Sequence, residues 1–209
     1  MKPLYALIIS LVMTTAYAGQ RAITDTGEEI IINSDGTWQY ATPEGQGSAG
    51  GIKTNPQTFS KPKNSTFLLK SKKNRSAFWI NTAKWLFKPS VKNTDAEYSL
   101  QLKGKDLHGL VITEEVEIAM ESLLDIALEN ARSAGPDIQI TKQEYRIVNG
   151  KKVLYAEMSG AIQGMKLTYL GYYYSDASGT TQFLAYTATN LVPKYRTEID
   201  DLLNGFVQQ

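Results

Sequence analysis

Apolar and polar positions follow three different rhythms along this chain. At its start an apolar run, residues 4–13, follows Lys2 and leads to Ala16-Tyr17-Ala18. A charged start, a short apolar centre and a small-x-small end predict an export signal over residues 1–18, cleaved after Ala18. The run is too short to span a bilayer, which takes about 20 apolar residues. Over the next stretch the pattern breaks into strand-sized pieces. The β-branched run Ile30-Ile31-Ile32 lies between the turn signals Asp25-Thr26-Gly27 and Ser34-Asp35-Gly36, so a three-stranded β-meander is expected over residues 19–41. So small an element buries little and needs the main domain or a partner to pack against.

Residues 42–65, TPEGQ through KPKNS, are rich in Gly, Pro, Ser and Asn and poor in large apolar residues. This composition predicts a flexible linker, with the folded domain occupying residues 66–209. Inside the domain, strand patterns recur at residues 66–69, 76–81, 86–88, 98–103 and 109–113. The period then changes to that of a helix: Val116, Met120, Leu123, Leu124, Ala127, Leu128 and Ala131 form one stripe. They predict a helix over about 114–133, with Thr113 as N-cap and Gly135-Pro136 as the stop. Further strands follow at 139–148, 152–159, 166–174 and 181–187, the first pair joined by the hairpin signal Asn149-Gly150. Tyr195, Ile199, Leu202, Leu203 and Phe206 mark a last helix over about 193–206, with Pro193 suited to its first turn.

Several of these strands are apolar on both faces. Leu154, Ala156 and Met158 alternate with Val153 and Tyr155, so the sheet requires cover on both sides. The fold class expected is α+β: an antiparallel β-sheet between two covering helices, an α/β/α sandwich, preceded by the N-terminal meander.

The order of elements from about residue 77 to 207 resembles the PsbP-like and DcrB-like α/β sandwich family. The likeness runs through Phe78-Trp79, Lys84-Trp85-Leu86-Phe87, the long first helix, and Val148-Asn149-Gly150-Lys151-Lys152. It continues through Gly171-Tyr172-Tyr173-Tyr174, the strand at 181–187 and the terminal Leu203-Asn204-Gly205-Phe206. The resemblance implies a binding or assembly factor. Such proteins include an extrinsic subunit of the photosynthetic water-oxidising complex, a cofactor of a nuclear-import GTPase, an envelope protein linked to phage entry, and chaperones for secreted toxins. It implies no shared catalytic set, and a shared fold by itself does not transfer a function.

Composition narrows the chemistry further. The absence of cysteine excludes disulfides, thiolate zinc sites, thiol nucleophiles and the lipid-anchored variant of the export signal. A net charge of +1 gives no global attraction to nucleic acid. His108 is the single histidine, sits in a turn-like stretch and has no Gly-x-Ser-x-Gly elbow to serve. No phosphate-binding loop is present, and Asp35 has too few neighbouring carboxylates for a calcium loop. No catalytic residue, cofactor or metal is therefore assigned.

Charge is nevertheless locally uneven. Lys61, Lys63, Lys70, Lys72, Lys73 and Arg75 form a basic stretch, suited at most to weak surface contact with anionic lipid. Glu117, Glu121, Asp125 and Glu129 recur every four residues along the first predicted helix, where like charges repel by about 0.2–0.5 kcal/mol per pair. The acidic row is a solvated face, a dock for the basic stretch in an intramolecular clasp, or a surface for a cationic partner. Tyr169 and Tyr173, within a cluster of tyrosines, and Trp38, opposite the isoleucine run, complete the candidate partner surface. The sequence thus points to an exported non-enzymatic binding or assembly protein of the bacterial envelope that recognises a protein or peptide. The alternative is a carrier of a small apolar ligand or lipid in a cavity beside the tyrosine-rich sheet.

Overall fold

The computed structural model describes residues 20–23, 29–32, 37–40, 52–90 and 95–209. The predicted signal, both meander turns and residues 42–51 of the predicted linker lie outside these. The chain divides into two units, Met1–Ala49 and Gly50–Gln209.

The first unit contains three strands, β1 (Gln20–Ile23), β2 (Glu29–Ile32) and β3 (Trp38–Tyr40), hydrogen-bonded in that order. Both pairings are antiparallel, and the register sets Trp38 opposite Ile32 and Tyr40 opposite Ile30.

The second unit opens with β4 (Thr54–Phe59), β5 (Phe67–Lys70), β6 (Ser76–Ile80) and β7 (Trp85–Pro89). It continues through β8 (Tyr98–Leu102), β9 (His108–Glu114), helix α1 (Met120–Ala134) and β10 (Gln139–Val148). The long strands β11 (Lys151–Ile162), β12 (Met165–Asp176) and β13 (Gly179–Ala188) lead to helix α2 (Val192–Leu203) and β14 (Phe206–Gln208). Eight strands form the main sheet in the order β4-β10-β11-β12-β13-β9-β8-β7, and β14-β6-β5 form a small second sheet. Tight turns join the long strands: Asn149-Gly150 and Gln163-Gly164 all have positive φ, the geometry that two-residue hairpins require.

Alternation along the central strands distributes the core into two layers. Val153, Tyr155, Leu170, Tyr172 and Phe183 pack with Phe78 and Ile80 of β6 and with Tyr195, Ile199, Leu202 and Leu203 of α2. Leu154, Ala156, Met158, Tyr173 and Leu184 pack under Leu123, Leu124 and Ala127 of α1. The main sheet is therefore covered by α1 on one face and by α2 with the small sheet on the other, which is the expected sandwich with one addition.

Four details depart from the sequence reading. The main sheet is mixed, because β4 runs parallel to β10. Part of the predicted linker is thus a strand: Lys53 O accepts from Tyr145 N, Phe59 O accepts from Asn149 N, and Asn55 donates to Glu144. Helix α1 starts six residues later than expected, since Glu114 still pairs with Thr180 in the sheet. Thr113 is buried and donates to Glu97 at 2.6 Å, so it caps nothing. Finally, Phe206 belongs to β14 and not to the last helix, because Gly205 turns the chain so that Phe206 pairs opposite Phe78.

One charge is buried in the layer beneath α2. Arg146 is 7% exposed; its guanidinium lies 3.5 Å from the Tyr155 ring centre, and its Nε donates to Glu144 at 2.7 Å. Burial by itself would raise the Glu144 carboxyl, but the Asn55 amide and the Arg146 guanidinium outweigh it and hold that carboxyl below its ordinary range.

Candidate functional site

The register of the main sheet assembles the site. Tyr169 of β12 pairs with Tyr186 of β13, Tyr186 with His108 of β9, His108 with Gln101 of β8, and Gln101 with Leu86 of β7. Tyr169 also pairs with Met158 of β11. A single row of side chains therefore crosses the sheet on the α1 face. The helix lies over β11 and β12, covering the Met158 end and leaving the remainder open. A second row, two residues further along each strand, brings Lys88, Ser99, Leu110 and Leu184 together.

These rows line an open groove of about 590 Å³, bordered by Leu86, Lys88, Gln101, His108, Tyr169 and Tyr186 among others. Its rings stand side by side. The His108 and Tyr186 centroids are 5.3 Å apart at 24°, and those of Tyr186 and Tyr169 are 5.3 Å apart at 28°. Stacking at strand spacing fixes three side chains in one ladder, so the groove is formed before any ligand arrives. Burial raises both phenols, with the neighbouring Tyr186 adding to the effect on Tyr169 and Asp106 adding to it on Tyr186. Both hydroxyls stay protonated at neutral pH and are available as donors. The ionisable lining groups are Lys88, His108 and the two phenols, and no carboxylate lines the groove among the described residues. His108 Nε2 lies 3.2 Å from Asp106 Oδ1, within its own turn.

The residues chosen from sequence are scattered by comparison. Tyr169 is in the groove, but Tyr173 is 1% exposed beneath α1. Facing away from Tyr172 along the strand put it inside a covered layer, so it presents no surface. Glu121, Asp125 and Glu129 are exposed on α1, whereas Glu117 precedes the helix and breaks the four-residue repeat. Arg132 neutralises Glu129 at 2.8 Å. Burial, followed by repulsion from Glu121 and Glu129, raises the Asp125 carboxyl. The clasp does not form: the basic stretch runs through β5 to the start of β6, and these strands pack on the opposite face of the sheet from α1. Lys61 sits 4.7 Å over Trp79, and Arg75 faces Asp176 at 3.6 Å. Trp38 lies in the other unit, in β3.

Sequence reasoning missed Leu86, Lys88, Gln101 and His108 as a group. They come from three strands whose partners are set by the β13–β9 crossover, and no local spacing encodes that. The available signal was the alternation in Trp85-Leu86-Phe87-Lys88, which puts Leu86 and Lys88 on one face.

With the geometry defined, solved structures give the fold. Cyanobacterial PsbP (CyanoP) from Synechocystis sp. PCC 6803 matches with a TM-score of 0.55 and 14% identity, over 78% of this chain and 98% of that one. The fold is PsbP-like. A protein of unknown function from Pseudomonas aeruginosa, PA94, described as a putative regulator, matches at 0.44 and 11% identity over 68% of this chain and 96% of its own. LpqN of Mycobacterium tuberculosis, involved in cell envelope biogenesis, matches at 0.36 and 9% identity over 71% and 80% of the two chains. No family model matches the chain, and no curated protein matches it in sequence. The PsbP-like sandwich agrees with the resemblance read from residues 77–207. Identity this low transfers the architecture and no activity.

Among the described residues no group of three or more His, Asp or Glu converges as a metal site. A second depression, beside Trp79, Lys84 and Glu198, has room for about 10 Å³, no more than one water.

Proposed function

We propose that this is an exported, non-catalytic binding protein that receives a segment of a protein or peptide partner in the aromatic groove. The observation that supports the reading is the uncovered half of the α1 face, where Leu86, His108, Tyr186 and Tyr169 stand in one row beside a lysine. Large apolar area with polar tips, pre-ordered by packing, is what a recognition surface needs. The export signal over residues 1–18 supports a periplasmic or secreted location.

The second reading is a small apolar ligand. In its favour, about 590 Å³ falls within the range of small-molecule sites. Against it, such sites bury most of their ligand, whereas this groove is open along β7, and a chain that continues past the edge suits it better.

Capture from envelope extract by the intact mature chain tests the proposal. Leu86→Asp and Tyr186→Ala should each abolish capture, the exposed Leu86→Asp with the melting temperature nearly unchanged and Tyr186→Ala with a modest drop from the lost ring stacking. Charge reversal at Glu121 and Asp125 on α1 should leave capture intact. Capture that persists with both groove variants would reject the groove. Binding of a radiolabelled fatty acid with no protein captured would favour the carrier.

A further inference from the structure

Strand β7 ends the main sheet, with no neighbour on its outer side among the described residues. Its hydrogen-bond phase is fixed at both ends: Lys103 N donates to Lys84 O, and Ser90 N donates to Glu97 O. With Leu86 opposite Gln101 and Lys88 opposite Ser99, the even-numbered residues of β7 bond to β8 and the odd-numbered ones face outward. Trp85 N is already bound to Asn81 O, and Pro89 has no N–H. The outer edge therefore offers one donor, Phe87 N–H, between the carbonyls of Trp85, Phe87 and Pro89. Pro89 occupies an outward position where a missing N–H costs no bond to β8. A single donor hinders extended sheet-on-sheet growth and still accommodates one short strand.

The side chains along this edge are apolar on both faces. Leu86 is 54% exposed toward the groove. On the other face Phe87 stacks at 5.1 Å against Phe67, itself 42% exposed. Lys88 lies beyond Leu86 on the groove face.

We propose that the partner segment binds as an antiparallel strand added to β7, centred opposite Phe87, with the chemistry acidic–aromatic–aliphatic in its chain direction. This rests on the groove reading and specifies its ligand. The central residue exchanges both backbone bonds with Phe87 and lays an aromatic side chain over Phe87 and Phe67. The preceding residue falls opposite Lys88, where an acid completes a cross-strand ion pair, and the following one falls opposite Leu86 and enters the groove. A second copy of this chain paired through its own β7 would set Lys88 opposite Leu86 twice, so charge complementarity favours the acidic segment.

The test uses the full mature chain and a short fluorescent peptide with glutamate, phenylalanine and leucine at its centre, flanked by alternating threonine and valine. Methylating the backbone nitrogen of the central phenylalanine should weaken binding by about tenfold or more. Methylating that of the following leucine, which points away from β7, should not. Lys88→Glu should favour a peptide with lysine in place of the glutamate. Equal loss or equal tolerance at the two nitrogens would overturn strand addition; if Tyr186→Ala still weakens binding, the groove survives that result. A Tyr186→Ala chain that binds as tightly as wild type, with the methyl alternation retained, would reject the groove and keep the edge. No binding up to about 1 mM, the weak end of the affinity scale, or self-association in place of peptide binding, overturns the proposal.

Discussion

Arg146 is a buried charge whose stability rests on a few named partners. A buried guanidinium is tolerated because Glu144 takes its Nε at 2.7 Å and the rings of Tyr155 and Phe59 flank it at 3.5 and 4.7 Å. Arg146→Ala should therefore cost about 3 kcal/mol in chemical denaturation, since it removes the buried partner of the Glu144 carboxylate and leaves it only Asn55 and Lys142. The Glu144 carboxyl is held low in the fold, so its contribution is present above the unfolded carboxylate range and lost as pH falls through the folded value. The variant should accordingly lose less further stability on acidification than wild type. Asp125 has the opposite sign. Its carboxyl is raised by burial and by Glu121 and Glu129, so ionisation costs stability above its folded value. Asp125→Asn should raise the melting temperature slightly at pH 7, and the gain should fade as pH drops below the carboxylate range. The repulsion at Asp125 was legible in the four-residue spacing of the acidic row, whereas the burial of Arg146 was not. Arg146 reads in the sequence as one more polar position in a strand, and its partners Phe59 and Tyr155 come from opposite sides of β10.

At the scale of elements, legibility followed periodicity. The strands at 139–148, 151–162 and 165–176 carry long runs rich in apolar residues between turn signals and were placed to within three residues at either end, as was the Asn149-Gly150 turn. Strand β4 shows no such pattern. It is an edge strand with four of its six residues exposed, and Pro56 is tolerated there because edge positions do not all need an N–H. Its composition is that of a linker, although its bonds are those of a sheet. A chain starting at Thr66 should lose at least about 2 kcal/mol relative to one starting at Ile52, because it gives up Phe59 over Arg146 and the Asn55–Glu144 bond. Equal unfolding curves for the two truncations would show that β4 contributes nothing to stability. The first helix was misplaced at its start for a related reason: its amphipathic stripe begins at Val116, but the β9–β13 ladder holds the backbone extended through Glu114.

For the whole molecule, the sandwich was readable because each central strand announces two buried faces. The groove was not, because it is defined by what α1 leaves uncovered and by a crossover that sets β9 beside β13. A tyrosine count pointed to the right sheet and included Tyr173, which is sealed under the helix. The central claim is that recognition happens at the β7–β9 end of the α1 face. Amide chemical-shift mapping of the full mature chain, titrated with the glutamate-phenylalanine-leucine peptide, tests it most directly. The largest shifts should fall at Leu86, Phe87 and Lys88, with smaller ones at His108, Leu110, Tyr169 and Tyr186. Shifts centred on the acidic face of α1 or around Trp79, with β7 unmoved, would contradict it.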